Sequence, residues 1–88
     1  MDSFECRQII LRDTNGRPKL VMTATEGGAN VSLFNNRGIT RMALNVAEDM
    51  CHVDICDNMG NLRARLGVLK DPFIILSDEV GDDVFCVP

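Results

Sequence analysis

One four-residue motif ending in glycine returns at an almost constant step along the chain. Asp13-Thr14-Asn15-Gly16 reappears as Asn35-Asn36-Arg37-Gly38, as Asp57-Asn58-Met59-Gly60 and as Asp78-Glu79-Val80-Gly81. The glycines are 22, 22 and 21 residues apart. Two branched aliphatic residues precede each motif at fixed offsets: Ile9 and Leu11, Val31 and Leu33, Val53 and Ile55, Ile74 and Leu76. A base follows the first three glycines at the third position, as Lys19, Arg41 and Arg63; the fourth unit has Val84 there and is cut short at Pro88. Agreement of residue type and spacing at several positions marks a structural repeat.

Within each unit the apolar period is two. Apolar residues are odd-numbered before the first turn and even-numbered after it, as in Leu20, Met22 and Ala24. Alternation of this kind predicts strands with one apolar face. The expected strands are 8–12, 18–25, 30–34, 40–47, 52–56, 62–69, 73–77 and 83–87. Met42, Ala43, Val46, Ala47 and Met50 also fit a helical spacing, but the matching positions of the neighbouring units alternate, which favours a strand. Asp or Asn opening a turn can bond its own backbone, and glycine at the fourth position can take positive φ. Asp13, Gly16, Asn35, Gly38, Asp57, Gly60, Asp78 and Gly81 are therefore the expected structural turns. A four-residue loop over 13–16 would set Ile9 against Leu20 and Leu11 against Pro18, keeping all apolar residues on one face. The motif would also suit the corner of a solenoid rung; a hairpin is the simpler link between antiparallel strands.

The 88 residues suit a single domain, here 1–88. The expected fold is all-β: four hairpin repeats packed as a small barrel, a sandwich, or a prism completed by partner subunits. Residues 1–7 lie outside the pattern, as a terminal strand or an arm. The second face of the strands carries Ile10, Val21, Phe34, Ala43 and Ile75 among polar residues. With four Phe, no Trp and no Tyr, the core of one chain is thin. Those five residues are the expected interface of a homo-oligomer, a closed dimer or trimer ahead of a filament.

The net charge of −4 argues against nucleic acid, whose binders neutralise phosphates with cations, and against a polybasic membrane clamp. No apolar run approaches the roughly 20 residues of a membrane-spanning helix. The start, Met1-Asp2-Ser3-Phe4-Glu5, has neither the basic nor the apolar segment of a secretory signal. A cytoplasmic location with reduced cysteines is the expectation.

Reactive residue types cluster only at Cys51-His52-Val53-Asp54-Ile55-Cys56. A thiol or metal protein using Cys51, His52, Asp54 and Cys56 is the competing reading. The spacing is poor for zinc, whose paired cysteines sit two to four residues apart. On a strand, Cys51 and Cys56 would point to opposite faces. A nucleophile also needs a positioned base and an oxyanion site, which no motif marks. The Asp-x-x-Gly turns lack the spacing of a calcium loop, and Gly27-Gly28 lacks the context of a phosphate loop. Asp78, Glu79, Asp82 and Asp83 read as a solvated turn. Lys19, Arg41 and Arg63, with Arg17, Arg37 and Arg65 nearby, form either an anion site or a ladder of cross-strand pairs; the ladder is favoured. No cofactor is expected.

The units Leu11-Arg12-Asp13-Thr14-Asn15-Gly16-Arg17-Pro18-Lys19-Leu20-Val21-Met22 and Ile55–Leu66 resemble the tandem Leu-x-Asp-x-x-Gly-x-x-Arg-apolar-x-Leu repeats of uncharacterised bacterial proteins. The resemblance covers residues 9 to about 68, with Asn35 in place of the acid and Lys19 in place of the Arg. It also extends to the hairpin repeats of cell-surface toxin scaffolds, which are rich in Tyr. It implies a repetitive β fold and a bacterial origin, and no activity. The expected function is a non-enzymatic oligomeric structural or binding module, in which any ligand, of unknown type, sits between subunits. A protein-partner adaptor using a sheet edge is a third reading.

Overall fold

Four turns set the architecture, and they share one geometry. In a computed structural model, which describes residues 5–87, the Asp13 carboxylate accepts from the Asn15 and Arg17 backbone N–H groups at 2.9 and 3.0 Å. The Gly16 N–H returns to the Asp13 carbonyl at 3.0 Å. Asn35, Asp57 and Asp78 accept in the same way from Arg37 and Ile39, from Met59 and Asn61, and from Val80 and Asp82. The bonded atom is a side-chain oxygen, which an amide supplies as well as a carboxylate, so Asn35 keeps both backbone bonds. The glycines close each turn at φ between 78° and 95°, a region where a Cβ is costly.

These turns join β1 (Gln8–Arg12) to β2 (Pro18–Thr25), β3 (Gly28–Phe34) to β4 (Thr40–Ala47), β5 (Met50–Cys56) to β6 (Leu62–Val68), and β7 (Pro72–Ser77) to β8 (Asp83–Val87). Shorter links at 26–27, 48–49 and 69–71 connect the pairs at the opposite end of the sheet. Each connection is a hairpin. The eight strands form one antiparallel sheet in sequence order. No helix occurs among the described residues, and none is long and apolar enough to cross a membrane.

Two expectations are corrected. The loop is wider than four residues: Leu11 faces Leu20 and Ile9 faces Met22. The cause is that the Asp13 N–H donates to the Arg17 carbonyl at 2.9 Å, so the turn closes over residues 13–17. An extra residue beside Arg12 then shifts the register. The same irregularity follows Leu33, Ile55 and Leu76. It restores parity, so the faces stay as the alternation sorts them.

The second correction concerns the overall shape. The sheet is open, not closed into a barrel, and the chain does not fold back into a sandwich. Each strand contacts only its neighbours in the chain. Short links reach only the adjacent strand, and the bulges lie at the turn ends rather than mid-strand, where they would curl the sheet. The result is a slab of 46 × 32 × 19 Å. Of the segment 1–7, residues 1–4 lie outside the described residues. By Arg7 the chain has joined the ladder, its carbonyl accepting from the Ala24 N–H at 2.8 Å.

Candidate functional site

The alternation gives the slab two unlike faces. One is apolar from edge to edge. Leu11, Leu20, Leu33, Met42, Ile55, Ala64, Leu76 and Phe85 are successive cross-strand partners through all eight strands. Ile9, Met22, Val31, Leu44, Val53, Leu66, Ile74 and Val87 form a second such row. A third, shorter row runs Ala24, Ala29, Val46, Cys51, Val68, Pro72. Nothing among the described residues covers them. Leu66 is 56% exposed, Val46 55% and Leu11 53%, whereas Ala43 is the sole buried hydrophobic side chain among the described residues.

The other face carries polar bridges, several of them between half-buried side chains. Gln8 donates to Thr23 at 3.3 Å, and Ser32 donates to Asn30 at 2.9 Å, which in turn pairs with Asn45. In the middle, Arg65 grips Asp54 with two bonds, Nε to Oδ1 at 2.6 Å and Nη2 to Oδ2 at 3.0 Å. His52 Nδ1 lies 2.9 Å from the same Oδ1. The Asp54 side chain is only 13% exposed. Burial pushes its carboxyl up, but the hydrogen bonds and charge of Arg65, with a smaller contribution from His52, outweigh that and hold it below the usual carboxylate value. Among the described residues no buried side-chain polar atom lacks a partner.

The expected interface residues Ile10, Val21, Ala43 and Ile75 fall in one row of this polar face, interspersed with Ser32, Asp54 and Arg65. Phe34 sits apart, at the end of β3. The cysteines scatter. Cys51 lies on the apolar face between Val46 and Val68, and His52 on the polar one opposite Asn45 and Gly67. Cys56 is half-buried at the end of β5, where burial, then the charges of Asp54 and Asp57, push its thiol up. All four thiols are free. Among the described residues no three His, Cys, Asp or Glu side chains are grouped to hold a metal ion.

The repeated bases tie one turn to the next. Lys19 bonds Asn36, Arg41 donates to the Cys56 carbonyl at 2.8 Å and to Asn58 at 2.6 Å, and Arg63 donates to the Ser77 carbonyl at 2.8 Å. Each reaches into the adjoining unit, and Arg63 also pairs with Asp57 of its own turn at 3.6 Å, so the ladder acts as a set of internal clasps. The Arg65 clamp on Asp54 is not apparent from sequence spacing alone. It follows from the β5–β6 register, which sets the two residues opposite each other. A hollow of about 480 Å³ lies beside β8, lined by Arg65, Lys70, Phe73, Ile75 and Cys86 among others. No protein-family model, curated protein or solved structure matches the chain.

Proposed function

We propose that the protein is a non-enzymatic structural or binding module that works as a homo-oligomer, its copies packed through the apolar face. The observation that carries this reading is the two apolar rows that cross all eight strands without a polar residue. The sheet's long dimensions are 46 and 32 Å, so the face outlines roughly 1,500 Å², against about 800 Å² per partner in a standard interface. Monomers rarely expose a contiguous apolar patch beyond roughly 300–600 Å². A second copy is the occupant that matches this face in extent and in its lack of charge.

Four repeats of about 22 residues account for the uniformity, since each unit contributes the same positions to each row. The polar face, with its closed network around Asp54, then looks outward or lines the grooves where a ligand binds. The module is cytoplasmic in this reading, with reduced thiols. Chemistry at Cys51, His52 and Cys56 has less support, because Cys51 and His52 stand on opposite faces. Native mass spectrometry of the untagged protein at micromolar concentration tests the proposal. A single closed dimer or trimer without excess mass is expected. A monomer whose apolar face stays open to a polarity-sensitive dye would overturn it.

A further inference from the structure

The seam between one repeat and the next has a fixed grammar, and the two sheet edges complete it. At the β2–β3 seam Leu20 faces Leu33, Val21 faces Ser32 and Met22 faces Val31. At β4–β5 the pairs are Met42 with Ile55, Ala43 with Asp54 and Leu44 with Val53. At β6–β7 they are Ala64 with Leu76, Arg65 with Ile75 and Leu66 with Ile74. Counted from their own glycines, Phe85, Cys86 and Val87 of β8 hold the first set of positions, and Leu11, Ile10 and Ile9 of β1 hold the second. Among the described residues, the outer edges of β1 and β8 pair with no strand.

We infer that copies join head to tail, β8 of one pairing antiparallel with β1 of the next as a fourth seam, with Phe85 against Leu11, Cys86 against Ile10 and Val87 against Ile9. This rests on the homo-oligomer reading and adds an edge-to-edge contact to the packing through the apolar face. In a meander of eight strands β1 and β8 run in opposite directions, so two copies in the same orientation present antiparallel edges. Both apolar rows then continue across the boundary on the same side.

Hydrogen bonding fits. The Ala24 N–H donates to the Arg7 carbonyl, so odd residues of β1 bond to β2. By alternation the N–H and C=O groups of Gln8, Ile10 and Arg12 point out of the open edge.

The clasp position differs at this seam. The three internal seams are clasped by Lys19, Arg41 and Arg63, but the fourth unit carries Val84 at that position. In the register set by Phe85 and Leu11, Val84 stands against Arg12, whose side chain donates to the Gly16 carbonyl at 2.9 Å, and Asp83 stands against Asp13, whose carboxylate is already bonded by Arg17. This seam alone has no basic clasp and rests on its apolar rows and backbone bonds.

The test replaces one residue. Ile10→Cys sets a thiol opposite the native Cys86 of the neighbouring copy, at a Cα separation of about 5.5 Å for a hydrogen-bonded pair, inside the disulfide range. Under a mild thiol oxidant this variant is expected to give a disulfide between positions 10 and 86 of different chains, mapped by peptide mass spectrometry. Adding Cys86→Ser abolishes it. An intact oligomer that gives no 10–86 bridge, or that links position 10 to position 10, overturns the seam while leaving the oligomer standing. A monomeric wild-type protein overturns the oligomer itself. Ile10→Pro gives an independent reading, since it removes an outward N–H that β2 does not use. The expected result is at least a tenfold loss of self-association with an unchanged circular dichroism spectrum; undiminished association counts against the seam.

Discussion

The ring of Phe73 closes over Gly67, its cross-strand partner. A Cβ built on Gly67 would stand 2.9 Å from Phe73 Cζ, 2.6 Å from His52 Cβ and 2.7 Å from the Cys51 carbonyl oxygen. The aromatic side chain supplies the apolar cover that glycine cannot, and it roofs the strand next to His52. Gly67→Ala therefore forces backbone to move. The expected cost is about 1–3 kcal/mol, read as a lower urea midpoint at fixed protein concentration. Phe73→Leu in the same chain recovers only part of it, because the Cys51 carbonyl contact remains. Full recovery would show that the ring alone sets the limit.

Asp54 predicts a pH dependence. Its carboxyl is held below the ordinary value, chiefly by Arg65 against the opposing effect of burial. A depressed folded-state value contributes stability that is complete above the unfolded pKa of about 3.9 and is lost as pH falls through the folded value. Asp54→Asn should flatten the fall of the unfolding midpoint between pH 7 and pH 3. At pH 7 it should cost about 1–2 kcal/mol, toward the low end for a charged hydrogen bond because Arg65 reaches solvent. Parallel pH curves for the two proteins would remove Asp54 from the account.

Strand positions are legible in the sequence because a period of two over five to eight residues has few competitors. Expected and observed strands differ by at most two residues at an end, and 40–47 is a strand although Met42, Ala43, Val46, Ala47 and Met50 fit a helix. The two-residue register difference at Leu11 and Leu20 is less legible, since it depends on which carbonyl the Asp13 N–H selects. Parity hides that choice, because loops differing by an even number of residues sort side chains identically. The period also says which residues share a face, and nothing about what lies over that face. Leu66 and Ala64 alternate as core residues would, yet the single layer leaves Leu66 more than half exposed. The Asp54–Arg65 clamp needs the register of β5 on β6, which no local motif encodes.

A charge placed mid-face separates folding from association. Leu66 sits in the second apolar row between Val53 and Ile74. Leu66→Glu leaves the single chain's hydrogen bonds intact but buries a carboxylate in any face-to-face contact, at a cost of several kcal/mol. A loss of self-association of a hundredfold or more is expected by analytical ultracentrifugation, with the β-sheet spectrum retained. Unchanged association would place the contact elsewhere on the slab.

The thiols report the same geometry. Cys56, half-buried with its thiol pushed up, should react slowest with a chromogenic disulfide at pH 8. Cys51 is exposed on the apolar face of a lone chain, so its rate should be low in the wild-type oligomer and rise in Leu66→Glu. A Cys51 rate that is equal in both proteins would mean that its surroundings do not change on assembly. Fast reaction at Cys56 would contradict the account of its environment.

Because each strand touches only its neighbours in the chain, stability in this slab is passed along like tension in a zip. Closing any hairpin needs no distant segment, which keeps loop-closure entropy small and the approach to the sheet rapid. By the same token, opening can begin at either outer strand and proceed one pairing at a time, without breaking a shared centre. The first and last strands are then the least protected against hydrogen exchange in an isolated chain, and whatever grips them sets the lifetime of all the rest.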